Sequence, residues 1–498
     1  MPERWRVRRW MLRGLGLTHA VAFSSLFVQL PGLIGERGIA PASDTLRAWS
    51  ELQAEAARHH LPTVFWLLGT TDAALLAVCG AGISFSALLI AGIAPSLMLS
   101  LLWLAYLSLC SVGSVFLGYQ WDALLLEASF AGIWLAPGQW LPRDAARVRT
   151  PSLAFWLMRV LLCRLMWLSG FSKLASGDPA WRSLEALHFH FFTQPLPTWT
   201  SVFAHELPDA LLRIGTAATL AIELALPLLA LGPRPARLFA CAGFAALQLA
   251  IALTGNYGFF NLLTLVLCFS LLEDRDLAAV CRGLGFARPG GDSAAREPGA
   301  AALPLRRIAE TAAGLLLALS LARSAAQIAP GSLPDPLLRL LGAAAPFRSS
   351  NAYGLFAVMT TQRPEIEIEL SSDGQHWRPL EFRFKPGALT RWPPLALVHM
   401  PRLDWQLWFA ALQGCERAAW FSEFAAQLLR GSRPVWSLVG EAPPEPAAAL
   451  LRSTLYLYRF ASPRQRERTG EVWERERVGS FCPTLRFEGG PRVGRTRR

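Results

Sequence analysis

Lysine is rare in this chain, and one of its two lysines stands where a base could act. Of 48 basic residues only Lys173 and Lys385 are lysine, and the rest are arginine. A desolvated lysine can lose its proton and serve as a base, which arginine cannot do. Lys173 also ends an apolar run, where a lysine can extend its ammonium group to the membrane surface without any chemical role. Lys173 is therefore both a candidate catalytic base and a candidate structural cation.

Histidines and tryptophans crowd the segment that follows Lys173. His188 and His190 are further candidate catalytic groups, and their spacing places them on one face of a strand or loop but not of a helix. With His205 they could hold a metal, but no carboxylate or cysteine lies at a suitable ligand spacing, so no metal site is predicted. Trp181 and Trp199 make the segment aromatic, which is typical of a membrane interface or of a surface for an apolar partner.

Several ionisable residues lie inside apolar runs, namely Asp122, Glu127, Arg159, Arg164 and Glu223. Charges within a membrane are costly and usually face a cavity or a partner of opposite sign. We favour structural ion pairs inside a helix bundle, such as Asp122 or Glu127 with Arg164. The alternative is a proton or substrate path, which would make the protein a transporter.

Two further motifs combine polar and aromatic residues. Asn256 and Asn261 lie in a tight turn between apolar runs, where their amides would hydrogen-bond free backbone groups. In the C-terminal part, Trp405 and Trp408 belong to an apolar stripe with helical spacing, a pattern more typical of core than of a binding surface. Together with the neighbouring Asp404, these two tryptophans are also candidates for contact with a partner protein.

The elements that would position these residues follow from composition and hydropathy. Hydrophobic residues make up 53% and charged residues 17%, against roughly 25% charged residues in ordinary soluble domains. Disordered, collagen-like and disulfide-rich small scaffolds are thereby excluded. Apolar runs near the length of a membrane span recur through the first two thirds of the chain. We predict about nine spans, at 15–34, 68–92, 97–117, 121–137, 152–172, 210–231, 237–254, 257–273 and 308–329.

After residue 330 the pattern changes to that of a soluble domain. Residues 365–370 and 377–384 alternate with period two around a turn at 371–374, which predicts a hairpin. The predicted fold is a multi-pass α-helical membrane bundle followed by a soluble β-containing (α+β) domain. Its parts are a basic cytoplasmic tail 1–14, a transmembrane domain 15–330 with an extracytoplasmic loop 173–208, a soluble extracytoplasmic domain 345–482 and an Arg-rich tail 483–498.

The distribution of charge predicts the orientation. The net charge is +12, and the first 14 residues hold five arginines against one glutamate. Arginines also fall in the loops 138–151, 232–236 and 274–307. The positive-inside rule places all of these in the cytoplasm, and nine spans then put the C-terminal domain on the other side. Basic segments that flank an apolar middle differ from a nucleic-acid-binding face, so no nucleic-acid partner is expected.

Neither the cysteine spacing nor a search for cofactor motifs identifies a further functional site. Cys415 and Cys482 lie in the polar C-terminal region, and they either form a disulfide in an oxidising compartment or remain two free thiols. The other cysteines lie outside any CxxC or Cys/His metal spacing. The sequence has no Gly-rich phosphate loop, GxSxG elbow or HExxH motif, so no cofactor is predicted.

Taken together, these stretches resemble the lipase maturation factor family. The matching pieces are GERGIAPA (35–42), GYQWDALLLEASF (118–130), LSGFSKLASGDPAWRSLEALHFHFFTQPLPTW (168–199), LTGNYGFFNLLT (253–264), NAYGLFAVMT (351–360), RPEIEIELSSDGQHWRPLEFRFKPG (363–387) and HMPRLDWQLWFAAL (399–412). The resemblance implies a multi-pass membrane protein that helps secreted lipases fold and assemble, with its C-terminal domain in the lumen of the endoplasmic reticulum in eukaryotic members. The Ala-, Arg-, Pro- and Gly-rich composition looks bacterial, which would place this chain in an inner membrane. The family implies no established catalytic residues.

A shorter stretch, Gly170 to Lys173 followed by Trp181, resembles the segment that bears the base lysine of vitamin K-dependent γ-glutamyl carboxylase. Three hypotheses follow. The chain is a membrane-anchored folding factor whose partners are the lipid bilayer and a secreted lipase or other exported client. Alternatively it is a membrane-embedded enzyme that uses Lys173 as base, or a transporter.

Overall fold

The computed structural model describes residues 4–52, 56–138, 140–141, 150–283, 303–486 and 494–495. Residues 142–149 and 284–302, which carry half of the predicted loop arginines, lie outside the described residues, as does most of the predicted tail 483–498. The first four residues of that tail belong to a strand that ends at Arg486. The predicted N-terminal tail 1–14 also forms regular structure, since it is helical from Trp5 onward.

Long helices build the N-terminal two thirds of the chain. The principal ones are α1 (Trp5–Phe27), α2 (Asp72–Ala91), α3 (Pro95–Val112), α4 (Gln120–Leu135), α5 (Ser152–Ala175), α6 (Ala186–Thr193), α7 (Trp199–His205), α8 (Asp209–Leu224), α9 (Arg234–Thr254), α10 (Phe260–Cys268) and α11 (Leu303–Ile328). Further helices and 3-10 turns lie at Leu30–Leu33, Ala42–Leu52, Ala57–His60, Phe65–Leu68, Ser114–Leu117, Pro179–Arg182, Leu226–Ala230, Phe269–Leu271, Asp274–Gly283, Asp335–Ala344 and Ala345–Phe347.

Six helical stretches among the described residues are long and apolar enough to cross a membrane: Asp72–Ala91, Pro95–Val112, Ser152–Ala175, Asp209–Ala230, Arg234–Thr254 and Pro304–Ile328. Each coincides with a predicted span. A membrane domain followed by a soluble domain is therefore confirmed in outline.

The count of nine spans is not confirmed. The predicted span 15–34 falls in α1, which starts ten residues earlier and carries four arginines in its first nine residues. The predicted span 121–137 is α4, whose 16 residues extend about 24 Å at 1.5 Å per residue. The predicted span 257–273 contains the short apolar helix Phe260–Leu271. Both helices are therefore shorter than the roughly 20 residues that usually cross a hydrocarbon core about 30 Å thick.

The segment 173–208, predicted as a loop, is mostly helical. It contains Pro179–Arg182, α6 and α7, and its backbone pairs with the turn after α9 through a bridge between Pro197 and Gly255. His188 and His190 therefore lie on a helix, and their side chains point in different directions.

The C-terminal domain is built on an antiparallel sheet of order β2-β1-β3-β4-β5. Its strands are β1 (Arg363–Ser371), β2 (Arg378–Pro379), β3 (Leu450–Phe460), β4 (Trp473–Arg486) and β5 (Gly494–Arg495). The predicted hairpin is confirmed over two residue pairs, on one edge of β1, and the other edge of β1 pairs along its whole length with β3. Pro379 has no amide proton for a ladder and ends β2.

Helices cover this sheet: α12 (Arg402–Gln413), α13 (Ala419–Leu429), α14 (Arg433–Val439) and the short Cys415–Arg417 and Pro463–Thr469. Cys415, just after α12, forms a disulfide with Cys482 in β4, with the two Cα atoms 5.4 Å apart. Of the two alternatives that the sequence left open, a disulfide or two free thiols, the structure shows the disulfide. The cross-link holds the helical layer to the sheet.

The C-terminal domain packs directly onto the helix bundle. A single cluster of buried apolar side chains includes Leu26 and Leu125 of the bundle together with Trp405 and Phe424 of the domain. At Gly32 the backbones approach so closely that a Cβ atom would overlap the carbonyl oxygen of Pro434. The two parts of the chain therefore share one core.

Candidate functional site

Asp122 is paired with a residue of the C-terminal domain. Arg402, the first residue of α12, donates from Nη1 and Nη2 to the two carboxylate oxygens of Asp122 at 2.9 and 2.7 Å. Tyr106 Oη donates to the same carboxylate at 2.5 Å, and Arg402 also donates to the carbonyl of Phe116 at 2.6 Å. Both charged side chains are buried. Of the two carboxylates predicted as alternatives for Arg164, Asp122 therefore pairs with a cation of the C-terminal domain.

Glu127 takes Arg164 as its partner, as predicted. Arg164 Nη1 donates to Glu127 Oε1 at 2.5 Å, and its Nη2 donates to the carbonyl of Asn351 at 2.7 Å. Glu127 Oε2 accepts further bonds from the Asn351 amide and from Tyr353 Oη. The pair is thus surrounded by partners from the segment that leads into the C-terminal domain, which is the arrangement expected of a structural ion pair.

Arg159 has no carboxylate partner among the described residues and instead donates hydrogen bonds to a backbone carbonyl. Its Nε and Nη2 donate to the carbonyl of Ser270 at 3.1 and 2.8 Å. Its guanidinium also lies 4.6 Å from the ring centroid of Trp156. These contacts join α5 to the end of the helical stretch Phe260–Leu271.

Lys173 forms a buried ion pair with Glu223. Its Nζ donates to both carboxylate oxygens, at 2.9 and 2.8 Å, and lies 5.1 Å from the ring centroid of Trp181. The pair joins the last turn of α5 to the last turn of α8. The Lys173 side chain therefore contacts a carboxylate and an aromatic face, and two of its N–H bonds are directed at Glu223.

The two candidate histidines have different surroundings. His190 is enclosed, with Tyr257 Oη 3.4 Å from its Nε2 and the ring of Phe356 edge-on at 5.2 Å. Burial, with the Lys173 charge adding to it, lowers the pKa of His190 to about 4, so this imidazole is neutral. His188 points away and bonds Asp209 at 2.8 Å. No group of three potential metal-ligating side chains occurs in the described part of the chain.

Of the two predicted turn residues, Asn256 lies in the turn after α9, whereas Asn261 is the second residue of α10. Asn256 donates to the carbonyls of Leu196, Pro197 and Pro394, and its side-chain oxygen accepts from the Ala396 amide at 2.7 Å. It thereby ties the turn after α9 to a loop of the C-terminal domain. Asn261 donates to the main chain and side chain of Gln248, both at 3.1 Å.

Six of the predicted residues meet at one cavity between the bundle and the C-terminal domain. The cavity has a volume of about 460 Å³. The predicted residues in its wall are Lys173, Trp181, His190, Glu223, Trp405 and Trp408. Asp122, Glu127, Arg159 and Arg164 lie elsewhere, so the intramembrane charges do not form one continuous path through this cavity.

Other lining residues had no assigned role in the sequence. Tyr119, Tyr257 and Phe356 complete the aromatic wall. Each falls inside a motif quoted above for its family resemblance, but nothing in hydropathy or spacing marks an aromatic residue as cavity-lining. The signal that could have found them is their position in the motifs GYQW, GNYGFF and NAYGLF.

Asp404 and Lys385 belong to a separate buried network under the sheet. The Asp404 carboxylate accepts from the amides of Lys385 and Phe384 at 2.9 and 3.2 Å. Burial raises the pKa of Asp404 to about 6, against the effect of these hydrogen bonds. Lys385 Nζ in turn pairs with Glu365 at 3.1 Å. Asp404, Trp405 and Trp408 are all buried, so they form core and cavity wall and present no open surface to a partner.

Trp199 is the exception among the predicted partner-contact residues. Its side chain is exposed, and it lies edge-on to Phe203, which stacks on Trp392 of the C-terminal domain at 5.8 Å. Trp199 and Phe203 lie on α7, directly before α8 in the chain. With Trp392 they form an aromatic cluster on the surface.

Comparison with known proteins covers nearly the whole chain. A family profile described as the lipase maturation factor transmembrane domain matches residues 6–279, and one for the lipase maturation factor C-terminal domain matches residues 349–483. Lipase maturation factor 2 of Homo sapiens is 35% identical over 602 residues, covering 96% of this chain and 82% of the relative. Lipase maturation factor 2 of Gallus gallus is 33% identical, with 96% and 81% covered. Lipase maturation factor 1 of Homo sapiens is 31% identical, with 97% and 88% covered. No solved structure matches.

Proposed function

Because the chain belongs to the lipase maturation factor family, we propose that it is a membrane-anchored factor that helps a secreted lipase or other exported client to fold and assemble. The observation that carries this proposal is the match of both family domains, over residues 6–279 and 349–483. The relatives are named for lipase maturation, and no comparison supports the carboxylase-like enzyme or the transporter.

The geometry suggests how such a factor would be organised. The C-terminal domain is held to the bundle by the Asp122–Arg402 pair, by Asn256 and by a shared apolar core. A domain fixed in this way would meet a client at a constant height above the membrane. Trp199, with Phe203 and Trp392, is the exposed candidate for client contact.

The proposed orientation has the N-terminus in the cytoplasm and the C-terminal domain outside it. The Cys415–Cys482 disulfide supports the latter, because disulfides persist in oxidising compartments. The orientation requires an odd number of crossings, and we propose that α1, α4 and the Phe260–Leu271 helix complete the six long spans to nine. The compartment would be the endoplasmic reticulum lumen or, for a bacterial chain, the periplasm.

The orientation is tested by adding a membrane-impermeant maleimide to spheroplasts or to sealed vesicles whose extracytoplasmic face is outermost. A cysteine placed at exposed His376 should react from the extracytoplasmic side, and one at exposed Arg9 should react only after permeabilisation. Unsubstituted protein serves as the background control. The reverse pattern, or reaction of both positions from one side, would overturn the proposed orientation.

The function is tested by deleting the gene from its host and measuring, for each exported lipase, the enzymatic activity per unit of lipase antigen. We expect this ratio to fall for at least one lipase and to recover with the full chain. A matched complementation uses Trp199→Ala, for the exposed candidate contact, against Leu52→Ala, a change at another exposed apolar residue away from it. Unchanged activity per antigen for every exported lipase would overturn the lipase assignment.

A further inference from the structure

A short loop of the C-terminal domain exposes apolar side chains. This apolar loop, residues 393–398, has the sequence PPLALV and contains no polar side chain. Leu395, Leu397 and Val398 are 46%, 69% and 43% exposed. Single exposed apolar residues are common on protein surfaces, but clustered ones mark a contact with another protein or with a membrane. The position of the loop in the fold distinguishes these two kinds of partner.

One side of the apolar loop is tied to the end of a membrane helix. Asn256 lies two positions after the last residue of α9. Its side-chain amide donates to the Pro394 carbonyl at 2.9 Å, and its side-chain oxygen accepts from the Ala396 amide at 2.7 Å. Because neighbouring Cα atoms are about 3.8 Å apart, Leu395 and Leu397 are held next to this turn.

The other side of the apolar loop is tied to α1. Ser25 Oγ accepts from the Met400 amide at 2.9 Å and lies 2.9 Å from His399 Nδ1. Gln29, two positions after the end of α1, donates to the Met400 carbonyl at 2.9 Å. The loop is therefore fixed between the ends of two bundle helices, and its height relative to the membrane follows from theirs.

The length of α9 sets this height. Its 21 residues extend about 32 Å at 1.5 Å per residue, close to the hydrocarbon thickness of about 30 Å. Leu249 and Leu253, near its end, are exposed, as expected of a helix surface that faces lipid. The end of α9 therefore lies at the boundary between hydrocarbon and headgroups, and the apolar loop lies beside it.

The backbone of the apolar loop also suits surroundings with little water, where polar backbone groups need partners within the protein. Pro393 and Pro394 have no N–H group. The Pro394 carbonyl and the Ala396 amide are bonded to Asn256, and the Ala396 carbonyl accepts from the His399 amide at 3.0 Å. These backbone groups therefore lose no hydrogen bonds when water is excluded from the loop.

We propose that the apolar loop inserts Leu395, Leu397 and Val398 into the interfacial region of the bilayer beside the end of α9. Lipid covers α9 at this height, so the same leaflet is the nearest apolar partner for the loop. The insertion adds a lipid contact to the protein contacts that hold the C-terminal domain on the bundle. It involves the bilayer alone and is independent of any client.

The test uses the full chain in phosphatidylcholine nanodiscs, without a client. Leu397→Cys carries an environment-sensitive NBD fluorophore, and unsubstituted protein gives the labelling background. Leu253→Cys on α9 and His376→Cys, at an exposed turn, carry the same fluorophore as references for lipid and for water. We expect the Leu397 label to have blue-shifted emission and to be quenched by a phosphatidylcholine with a nitroxide near the top of one acyl chain, as the Leu253 label is. The His376 label should be quenched by aqueous iodide only.

A second position and a charged variant complete the test. Leu395→Cys repeats the measurement if Leu397→Cys misfolds. Leu397→Asp should weaken the quenching of a Leu395 label by the nitroxide lipid, because a charge is costly to place in a membrane. Val478→Asp, at an exposed apolar residue of β4, is the matched control and should leave that quenching unchanged. Loop labels that behave like the His376 label would overturn the proposal and favour a protein partner for this surface. Quenching that Leu397→Asp leaves unchanged would also count against insertion.

Discussion

Arg402 of the C-terminal domain and Asp122 of the membrane bundle form a two-pronged ion pair, with N–O distances of 2.9 and 2.7 Å, although 280 residues separate them in sequence. Both side chains are buried, at 1% and 0% exposure. The pair lies where α12 begins and α4 enters the bundle, so it joins the two domains that the family profiles describe separately.

Removing one partner of this pair should destabilise the protein severely. Asp122→Asn or Arg402→Gln leaves a buried charge without its partner, which typically costs about 3–5 kcal/mol. We expect a large fall in the thermal unfolding midpoint of the detergent-solubilised chain. The control is Arg459→Gln, which breaks the exposed pair with Glu474 and should cost less than about 1 kcal/mol. Equal effects of the buried and exposed changes would contradict this role.

The Lys173–Glu223 pair should be replaceable as a unit. Lys173→Met or Glu223→Leu alone should destabilise the chain, whereas the double variant should come close to wild-type stability, because a buried pair can be exchanged for apolar residues of similar volume. The measurements are the unfolding midpoint and the activity per antigen of the client lipase. If Lys173 were a catalytic base, the double variant would be stable yet inactive, and Lys173→Arg would be inactive as well.

Stability should depend on pH through Asp404. Its folded-state pKa of about 6 lies above the ordinary value, so the folded protein binds this proton more tightly than the unfolded chain does. The contribution of Asp404 is therefore full below about pH 4 and is lost as the pH rises to about 6, by at most about 3 kcal/mol. Chemical unfolding of Asp404→Asn between pH 4 and 7 should show a smaller decline with rising pH than the wild type. Parallel pH profiles would contradict the shifted pKa.

Reduction of the Cys415–Cys482 disulfide should weaken the C-terminal domain. The bond closes a loop with a sequence separation of 67 residues, and native disulfides of this kind contribute about 2–4 kcal/mol. Cys415→Ser with Cys482→Ser should lower the unfolding midpoint and make the chain insensitive to added reductant. Cys241→Ser, a change at a half-buried free cysteine of the bundle, should leave the response to reductant as in the wild type.

Hydropathy and periodicity were sufficient to predict the long apolar helices and α12. Six predicted spans coincide with long apolar helices, and the stripe that contains Trp405 lies on α12 as its spacing indicates. These features are local, because a helix or strand is decided by the sequence of the segment that forms it. The nine-span count depended on helices that are short or interrupted by arginine, where length and hydropathy no longer decide whether a helix crosses a membrane.

Contacts between distant segments could not be predicted in this way. Nothing in the sequence near Asp122 points to Arg402, and the sequence left open whether Asp122 or Glu127 pairs with Arg164. The motifs around Lys173, Tyr257 and Phe356 were recognisable as family features, but their meeting at one cavity is a property of how α5, the turn after α9 and the segment 354–360 pack together.

The class of protein, the main membrane helices, the presence of a β-containing C-terminal domain and the family could all be predicted from the amino-acid sequence. Which charges pair, that Cys415 and Cys482 are bonded, and how the candidate residues divide between one shared cavity and separate structural networks became known only from the folded chain. The difference lies in the distance along the chain over which each signal acts. Hydropathy and periodicity act over one helix or strand, whereas ion pairs and cavities depend on segments that are brought together only when the domains dock.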